Sequence, residues 1–329
     1  MPSGFRDSEA SHERPDAPLG VDAVRRGVRI AVGVGLLALV AYGVVSWIFS
    51  DKLIAQQFTA LGDNDPSEHG LPEPETTTIR GDEVDLAAWY FENPRDAGCA
   101  VVMLHGFSGS KAEILAVSPV FWKRGCDVLA YDARGHGESS RALLTYGVHE
   151  REDLLRAVEW LAAKTDLPRS KIGLAGWSYG AATAIQAASE AGGDVAFVLA
   201  DSSYSSLRDI AEVQAEKQFG TWATLFVPGA LVISAVRARF DGTRPAPASA
   251  IEDVRSPVLL VHSRQDGFTP VEHSERIYEN SDHSRTRLVI PGWEAPHAHS
   301  FTENPVAYTE VVDRFLDEFA PGFGVRPER

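Results

Sequence analysis

The chain has 329 residues, of which 44% are hydrophobic, and its formal net charge is −15 at pH 7. This length accommodates one large α/β domain with additional segments, and the ordinary contents of charged and aromatic residues exclude a chain that is disordered throughout. The acidic balance argues against a nucleic-acid partner, because neutralising phosphates requires clustered Lys and Arg.

One long apolar segment lies near the N-terminus. Residues 30–49 carry no charge, and at about 1.5 Å per residue they span the ~30 Å hydrocarbon core of a bilayer. Trp47 lies near the far end, and three arginines precede the segment: Arg25, Arg26 and Arg29. This pattern predicts a single-pass membrane helix with a cytoplasmic N-terminus and export of the rest of the chain. A cleaved signal peptide is the alternative, but its apolar region is usually only about 7–15 residues long.

These features divide the chain into four parts. We expect residues 1–29 to be a polar, disordered cytoplasmic tail and residues 30–49 to be the membrane anchor. Residues 50–74 are predicted to be a stalk, and residues 75–320 a globular domain.

Short apolar runs alternate with amphipathic stretches from about residue 75. Runs at 76–79 and 84–91 flank Gly81-Asp82 and predict a hairpin. The later runs are continuously apolar, which is typical of parallel strands covered on both faces: residues 100–104, 127–131, 171–175, 196–200, 258–261 and 287–290. Amphipathic helices are predicted over 154–162 and 308–319. The alternation predicts a mostly parallel α/β sheet with helices on both faces.

A candidate nucleophile follows the third of these continuous runs. Residues 176–180 (GWSYG) lie between the strand at 171–175 and a helix of small residues. In G-x-S-x-G the serine occupies a sharp strand-to-helix turn that exposes its hydroxyl, and the glycines let the helix approach the strand. Ser178 is therefore the predicted nucleophile, with a tight turn and an idle serine as the structural alternative.

Two further motifs accompany this turn: residues 105–110 (HGFSGS) and residues 132–139 (DARGHGES). Together the motifs resemble the α/β-hydrolase superfamily over about residues 75–320, in its short-capped branch related to prolyl-oligopeptidase-like and serine-aminopeptidase-like domains. The resemblance implies an oxyanion hole formed by the backbone N–H groups of Phe107 and Tyr179. It also implies that residues 132–139 shape the edge of the sheet without doing chemistry, and that His105 and His136 are structural.

The resemblance further implies the chain order serine, acid, histidine. A serine nucleophile needs a base, and the base needs an orienting carboxylate. Asp266 occupies the family's acid position, and Asp201 after the preceding strand is the alternative. His297 is the predicted base, but Ala295-Pro296 replace the usual small residue and glycine before it, so His299 stays open as an alternative.

The sequence predicts no cofactor and no metal. No G-x-G-x-x-G or P-loop pattern stands in the right place, and no acidic or cysteine partners cluster around His297 and His299. The other histidines of this region, His262, His273 and His283, are expected to lie outside the site.

A cap is predicted over about residues 204–250, where this fold keeps its lid. Residues 218–236 carry no charge and are interrupted by Pro228-Gly229, which predicts two short helices. Two interpretations stay open: an apolar lid over an acyl pocket, touching the membrane, or ordinary core.

The only two cysteines, Cys99 and Cys126, each lie six positions before a motif residue, His105 and Asp132. In this fold the two strands that follow them are parallel neighbours. A disulfide is therefore one hypothesis, which export would permit, and two buried free thiols are the other.

The predicted function is a membrane-anchored serine hydrolase that cleaves carboxylic ester substrates through an acyl-enzyme. A serine peptidase or aminopeptidase on the same fold is the first alternative. A non-catalytic interaction protein with the same fold is the second. The expected partners are a small-molecule ester or peptide substrate and the membrane.

Overall fold

The computed structural model of the protein describes residues 20–58, 65–81, 83–242, 244 and 246–326. Eight strands of these residues form one sheet: β1 Glu75–Arg80, β2 Asp85–Phe91, β3 Ala100–Leu104, β4 Asp127–Tyr131, β5 Ile172–Trp177, β6 Val198–Asp201, β7 Val258–Val261 and β8 Thr286–Val289. Their order is β1-β2-β4-β3-β5-β6-β7-β8. β2 is antiparallel to both of its neighbours, and all other pairs are parallel. The predicted mostly parallel α/β sheet is confirmed.

The helices within the described residues follow in chain order: α1 Val21–Ile54, α2 Pro119–Trp122, α3 Glu150–Thr165, α4 Tyr179–Glu190, α5 Leu207–Phe219, α6 Val227–Arg237, α7 Pro247–Ala250, α8 Glu272–Glu279, α9 Ser300–Glu303 and α10 Pro305–Phe319. Short 3₁₀ turns lie at Pro66–His69, Glu113–Ala116, Arg169–Lys171, Thr221–Phe226 and Ile251–Asp253.

Both faces of the sheet are covered, which explains the continuously apolar strands. Along β3, Val102 and Leu104 pack in one core cluster with residues of α3 and α4. Val101 and Met103 pack in a second cluster with residues of α2 and α10. Because successive side chains of a strand point to opposite faces, neither face of β3 tolerates a polar residue. Every predicted strand lies within two residues of an observed one, and Asp82 of the hairpin turn lies outside the described residues.

The N-terminal helix is longer than predicted. α1 begins at Val21 rather than at residue 30, so residues 21–29 of the predicted tail are helical. Arginine and alanine are good helix formers, and nothing between Val21 and Ile30 stops the helix. Within the described residues, α1 is the one helix long and apolar enough to cross a membrane. The remainder of the predicted tail, residues 1–19, lies outside the described residues.

The predicted stalk begins inside the globular unit. The chain divides into two compact units at Val45/Ser46, so the last turns of α1 belong to the same unit as the sheet. Ile54 is buried, and the backbone N–H of Gln57 donates to the Gly135 carbonyl at 2.7 Å. The structure therefore differs from a free stalk over residues 50–58, because apolar side chains and backbone groups here find partners in the domain. Residues 59–64 lie outside the described part.

The cap consists of α5, the 3₁₀ turn Thr221–Phe226 and α6, between β6 and β7. Pro228 lies in the first turn of α6, where its missing N–H removes no helical hydrogen bond. Where two short helices were predicted, the 3₁₀ turn Thr221–Phe226 runs directly into α6, and the helix type changes just before Pro228-Gly229.

The two cysteines form a disulfide. Cys99 and Cys126 are bonded, with their Cα atoms 4.7 Å apart. They precede β3 and β4, whose first residues, Ala100 and Asp127, are paired in parallel register. The disulfide hypothesis is confirmed, and the alternative of two free thiols was wrong.

We expect a Cys99→Ser/Cys126→Ser double variant to lose about 3 kcal/mol of unfolding free energy. The disulfide closes a loop in the unfolded chain and so lowers its conformational entropy. Urea unfolding of the full chain in detergent measures the loss. Wild type under reducing conditions is the control and should unfold like the variant. Equal stability of the variant and oxidised wild type would contradict the role of the bond.

Candidate active site

The predicted nucleophile lies on a strained turn between β5 and α4. Ser178 has φ 52° and ψ −109°, a backbone conformation that residues other than glycine rarely adopt. Its N–H donates to the Asp201 carbonyl at 2.8 Å. This is the strand–turn–helix context that the G-x-S-x-G pattern predicts, and it places the serine side chain at the carboxyl edge of the sheet.

The two glycines of the motif are required by close packing. A Cβ atom added to Gly176 would lie 2.3 Å from the Gly180 carbonyl oxygen, and one added to Gly180 would lie 2.5 Å from the Leu104 carbonyl oxygen. These contacts are far inside van der Waals distance. Any side chain at either position would push α4 away from β3 and β5 and so move the turn that carries Ser178.

The structure brings Ser178, His297 and Asp266 together. The Ser178 Oγ lies 2.7 Å from the His297 Nε2, and the His297 Nδ1 lies 2.7 Å from the Asp266 Oδ2. Because a carboxylate only accepts, Nδ1 carries the proton, which leaves Nε2 free to accept from the serine hydroxyl. His299 is not in this chain of contacts: its Nδ1 contacts the His297 carbonyl at 2.6 Å and its side chain is exposed.

The Asp266 carboxylate is fully engaged. Its Oδ1 accepts from the backbone N–H groups of Phe268 and Thr269 at 2.9 and 2.8 Å. Burial opposes the charge of Asp266, but hydrogen bonds from His262, His297 and the Thr269 amide outweigh it, so the pKa is held well below its usual range. The group is an anion throughout the physiological range.

His262 was expected to lie outside the site, and that expectation was wrong. Its Nε2 lies 3.2 Å from the Asp266 Oδ2 and 2.8 Å from the Thr269 carbonyl, while its Nδ1 contacts the Ser274 hydroxyl at 2.7 Å. Both carbonyl and carboxylate only accept, so the Nε2–H donates to them. The available signal was position: His262 directly follows β7, at the edge of the sheet where the loops of parallel strands converge.

The predicted oxyanion donors flank the nucleophile. Tyr179 is the first residue of α4, and the N–H groups of a first helical turn have no partner within the helix. Phe107 lies in the turn after β3, next to Gly106, where an added Cβ would be 3.5 Å from the Ser178 Cβ. The Tyr179 hydroxyl donates to the buried Glu150 at 2.6 Å, a contact that no motif of the sequence predicts.

His105 and the 132–139 loop act as scaffold. The His105 Nδ1 contacts the Gly106 carbonyl at 2.7 Å, so this nitrogen carries the proton and Nε2 accepts the Ala133 N–H at 2.9 Å. Burial and the neighbouring His136 lower the pKa of His105 to about 4, which keeps it neutral. Asp132 accepts from the buried Lys111 Nζ at 2.7 Å.

Comparison with known proteins identifies the family. The uncharacterized protein YqkD of Bacillus subtilis is 31% identical over 231 residues, which are 69% of this chain and 74% of that protein. A family model described as alpha/beta hydrolase fold matches residues 100–238. The chain belongs to the α/β-hydrolase family.

Solved structures agree with this assignment. An esterase of Pyrococcus furiosus matches this α/β hydrolase with a TM-score of 0.65 and 25% identity, over 81% of this chain and 98% of that one. An acylaminoacyl peptidase of Pyrococcus horikoshii matches with a TM-score of 0.57 and 19% identity, over 79% of this chain and 43% of that one. The second likeness shows the fold alone. The predicted superfamily is confirmed, and the esterase neighbour supports a hydrolase.

Two cavities of the α/β hydrolase meet at Ser178. The first, of about 180 Å³, is mainly apolar and extends under the cap; its lining includes Phe49, Leu53, Phe107, Ile210, Ala215 and Val227. The second, of about 650 Å³, lies on the His297 side and carries polar groups, among them Ser108, Glu113, His299 and Thr302. We name them the apolar and the polar cavity.

The alternative acid, Asp201, is buried beside the site. Its Oδ1 accepts from the Ser202 hydroxyl at 2.9 Å, whereas the His297 ring contacts Asp266. Burial raises the pKa of Asp201 to about 6, against the opposing effects of Ser202, Tyr308 and the nearby histidines. Its carboxyl therefore costs folding free energy when it ionises.

We expect an Asp201→Asn variant to gain stability relative to wild type as the pH rises. The unfolded carboxyl loses its proton near pH 3.8 and the folded one near pH 6, so its favourable contribution is complete below the first value and is lost on passing the second. The gain between about pH 4 and pH 7.5 amounts to roughly 2 kcal/mol. Urea unfolding at the two pH values measures it, with Ser202→Ala as the control for the lost hydrogen bond. A pH-independent difference would contradict the assignment.

Proposed function

We propose that the protein is a membrane-anchored serine hydrolase that cleaves carboxylic esters through an acyl-enzyme on Ser178. The observation that carries this proposal is the continuous chain of contacts, each 2.7 Å long, from the Ser178 Oγ through the His297 ring to Asp266. A serine with a lone-pair nitrogen beside it, held by a buried anion, is the arrangement that activates a hydroxyl for attack on a carbonyl carbon.

In the first half-reaction the Ser178 Oγ attacks the carbonyl carbon and its proton passes to the His297 Nε2. The backbone N–H groups of Phe107 and Tyr179 donate to the oxygen that becomes negative. Collapse breaks the bond to the leaving alcohol, which takes the proton from His297. Water then attacks the acyl-enzyme with His297 again as base, and the carboxylic acid leaves. Asp266 holds the imidazole tautomer and stabilises its charged form.

The two cavities favour an ester with an apolar acyl part and a polar leaving group. The apolar cavity ends at Ser178 beneath the cap, where an acyl chain would lie. The polar cavity leads from Ser178 past His297 to Glu113 and His299, where an alcohol would depart. An amide substrate is the second candidate, and the peptidase neighbour supports it through the fold alone.

The anchor part of the proposal rests on α1. Its segment 30–49 is apolar and uncharged and follows three arginines, which favours a cytoplasmic N-terminus and a catalytic domain on the other side. The Cys99–Cys126 bond supports this orientation, because disulfides persist in oxidising compartments and are rare in the cytosol.

A fluorophosphonate probe is expected to label the wild-type protein, because it reacts with activated serines and needs no natural substrate. Ser178→Ala should abolish labelling, whereas Ser189→Ala, a change on the same helix away from the site, should keep it. Hydrolysis of p-nitrophenyl esters should exceed that of aminoacyl anilides. Absent labelling of folded wild type would favour the non-catalytic interaction protein, and faster anilide cleavage would favour the peptidase.

The acid and the base are tested by two matched pairs of variants. Asp266→Asn should lower kcat by about 10³–10⁴-fold, because the imidazole loses its orienting anion, while Asp201→Asn should stay within tenfold of wild type. His297→Ala should be at least as damaging as Asp266→Asn, and His299→Ala should be mild.

The readout is ester turnover at equal amounts of folded protein. A larger loss for Asp201→Asn than for Asp266→Asn, or for His299→Ala than for His297→Ala, would reverse the assignment.

A further inference from the structure

The end of the N-terminal helix forms part of the wall of the apolar cavity. Phe49 and Leu53, in the last two turns of α1, line this cavity together with Ser178 and residues of α5 and α6. Both side chains pack on a small core cluster of the cap: Ala211, Ala215, Ala223 and Val227. The segment predicted as an anchor therefore contributes directly to the space beside the nucleophile.

Polar contacts fix this end of α1 in place. The Ser234 hydroxyl contacts the Ser50 hydroxyl at 3.0 Å, both groups being buried. The Tyr146 hydroxyl donates to the Leu53 carbonyl at 2.8 Å, which occupies one of the carbonyls left free at a helix end. Arg237 of α6 pairs with Asp51 at 2.6 Å. The wall is built by specific contacts on several sides.

Phe49 and Leu53 are also close in sequence to the segment predicted to span the membrane. Phe49 is the last residue of the uncharged segment 30–49, and Trp47 lies two residues before it. At about 1.5 Å per residue, Leu53 lies only ~6 Å further along the helix axis. The cavity-wall residues therefore lie at the end of the apolar segment predicted to span the membrane and directly after it in the chain.

The outer surface of the cap is apolar as well. Trp222, Leu225 and Val236 are 57%, 69% and 75% exposed, and the stretch 218–236 that contains them carries no charge. Large exposed apolar side chains in an uncharged stretch are typical of a contact with a membrane or a partner. This surface and the last turns of α1 belong to the same unit, and Ser234 and Arg237 of the cap contact Ser50 and Asp51 of α1.

We propose that the apolar cavity is the binding site for one acyl chain of a membrane lipid ester, which enters from the bilayer along α1 and the cap. Phe49 and Leu53 select the acyl chain by packing against it, and the polar headgroup lies in the polar cavity, beside Glu113. This proposal rests on the proposed function and adds to it the substrate class and the role of the anchor.

Leu53→Trp tests the wall. A larger side chain fills the cavity, so the ratio of p-nitrophenyl laurate to p-nitrophenyl acetate turnover should fall about tenfold or more. Leu53→Ala enlarges the cavity and should shift the preference toward longer chains. Ile48→Trp, on the same helix but outside the cavity lining, is the control and should keep the wild-type ratio.

The assignment of Leu53 to the acyl-chain site would be overturned if Leu53→Trp lowered turnover of both esters equally and Leu53→Ala left the chain-length preference unchanged. The Leu53→Ala arm decides the matter if the tryptophan variant does not fold.

A second experiment separates failure of this proposal from failure of the proposed function. Full-length Ser178→Ala protein in phosphatidylcholine–phosphatidylglycerol vesicles is irradiated with a diazirine-bearing palmitate, which requires no catalysis. Crosslinks on α5, α6 and the last turns of α1 support the acyl site even if wild type shows no fluorophosphonate labelling. Crosslinks confined to the segment 30–45 overturn it even if wild type is labelled.

The source of the substrate is tested with a fluorogenic phospholipid. Wild type reconstituted into the same vesicles as this lipid should hydrolyse it, and lipid placed in separate protein-free vesicles should be spared. Equal rates in both arrangements would overturn entry from the bilayer.

Discussion

The left-handed turn at Ser178 is the constraint on which the site depends. A non-glycine residue with φ 52° costs on the order of 1–3 kcal/mol, and it persists only where the surroundings over-determine it. Here the surroundings are Gly176 and Gly180, whose missing side chains let α4 pack directly on β3 and β5. One short turn thereby presents both the Ser178 hydroxyl and the N–H group of Tyr179 on the same side of the sheet.

The other members of the site reach this turn because the strands around it are parallel and in register. The carbonyl of Asp201, at the end of β6, accepts from the Ser178 N–H. Asp266 follows β7 and His297 follows β8, so consecutive loops meet at one edge. The charge of Asp266 is tolerated there because its oxygens accept hydrogen bonds from two backbone N–H groups and two histidine rings. The loop that brings Asp266 to this edge of the sheet thus also supplies hydrogen-bond donors that stabilise its buried charge.

The sequence predicted the sheet and the strand-to-helix turn at Ser178 well because both have strong local signals. Continuous apolar runs mark two-sided burial, and the spacing of glycines around Ser178 reflects steric needs within five residues. The choice between His297 and His299 had no such signal. It depends on Ala298, whose φ of 58° turns the chain between them and whose N–H donates to the Ser202 hydroxyl at 3.2 Å. That contact joins loops almost a hundred residues apart, and no local pattern encodes it.

The sequence did not predict where the anchor ends and the domain begins within α1, and the reason is different. An apolar residue such as Phe49 or Leu53 has the same preference for lipid as for a protein core, so hydropathy does not reveal which of the two it contacts. Only the partners decide, and these lie far along the chain in the cap and at Tyr146. A prediction that separates anchor, stalk and domain by composition therefore places a boundary inside a helix whose last turns pack on the domain.

The packing of the last turns of α1 beside the apolar cavity changes the energetics expected of a lipid substrate. An acyl chain taken from water into the apolar cavity gains about 0.8 kcal/mol per methylene, so affinity would rise steeply with chain length. A chain that moves from the bilayer interior to the cavity exchanges one apolar environment for another and gains almost nothing from burial. Discrimination must then come from the shape set by Phe49, Leu53 and the cap, and from how that shape aligns the ester carbonyl with Ser178. In the proposed lipid site the last turns of α1 form part of the cavity wall, so an acyl chain supplied by a bilayer would align with Ser178 without first passing through water.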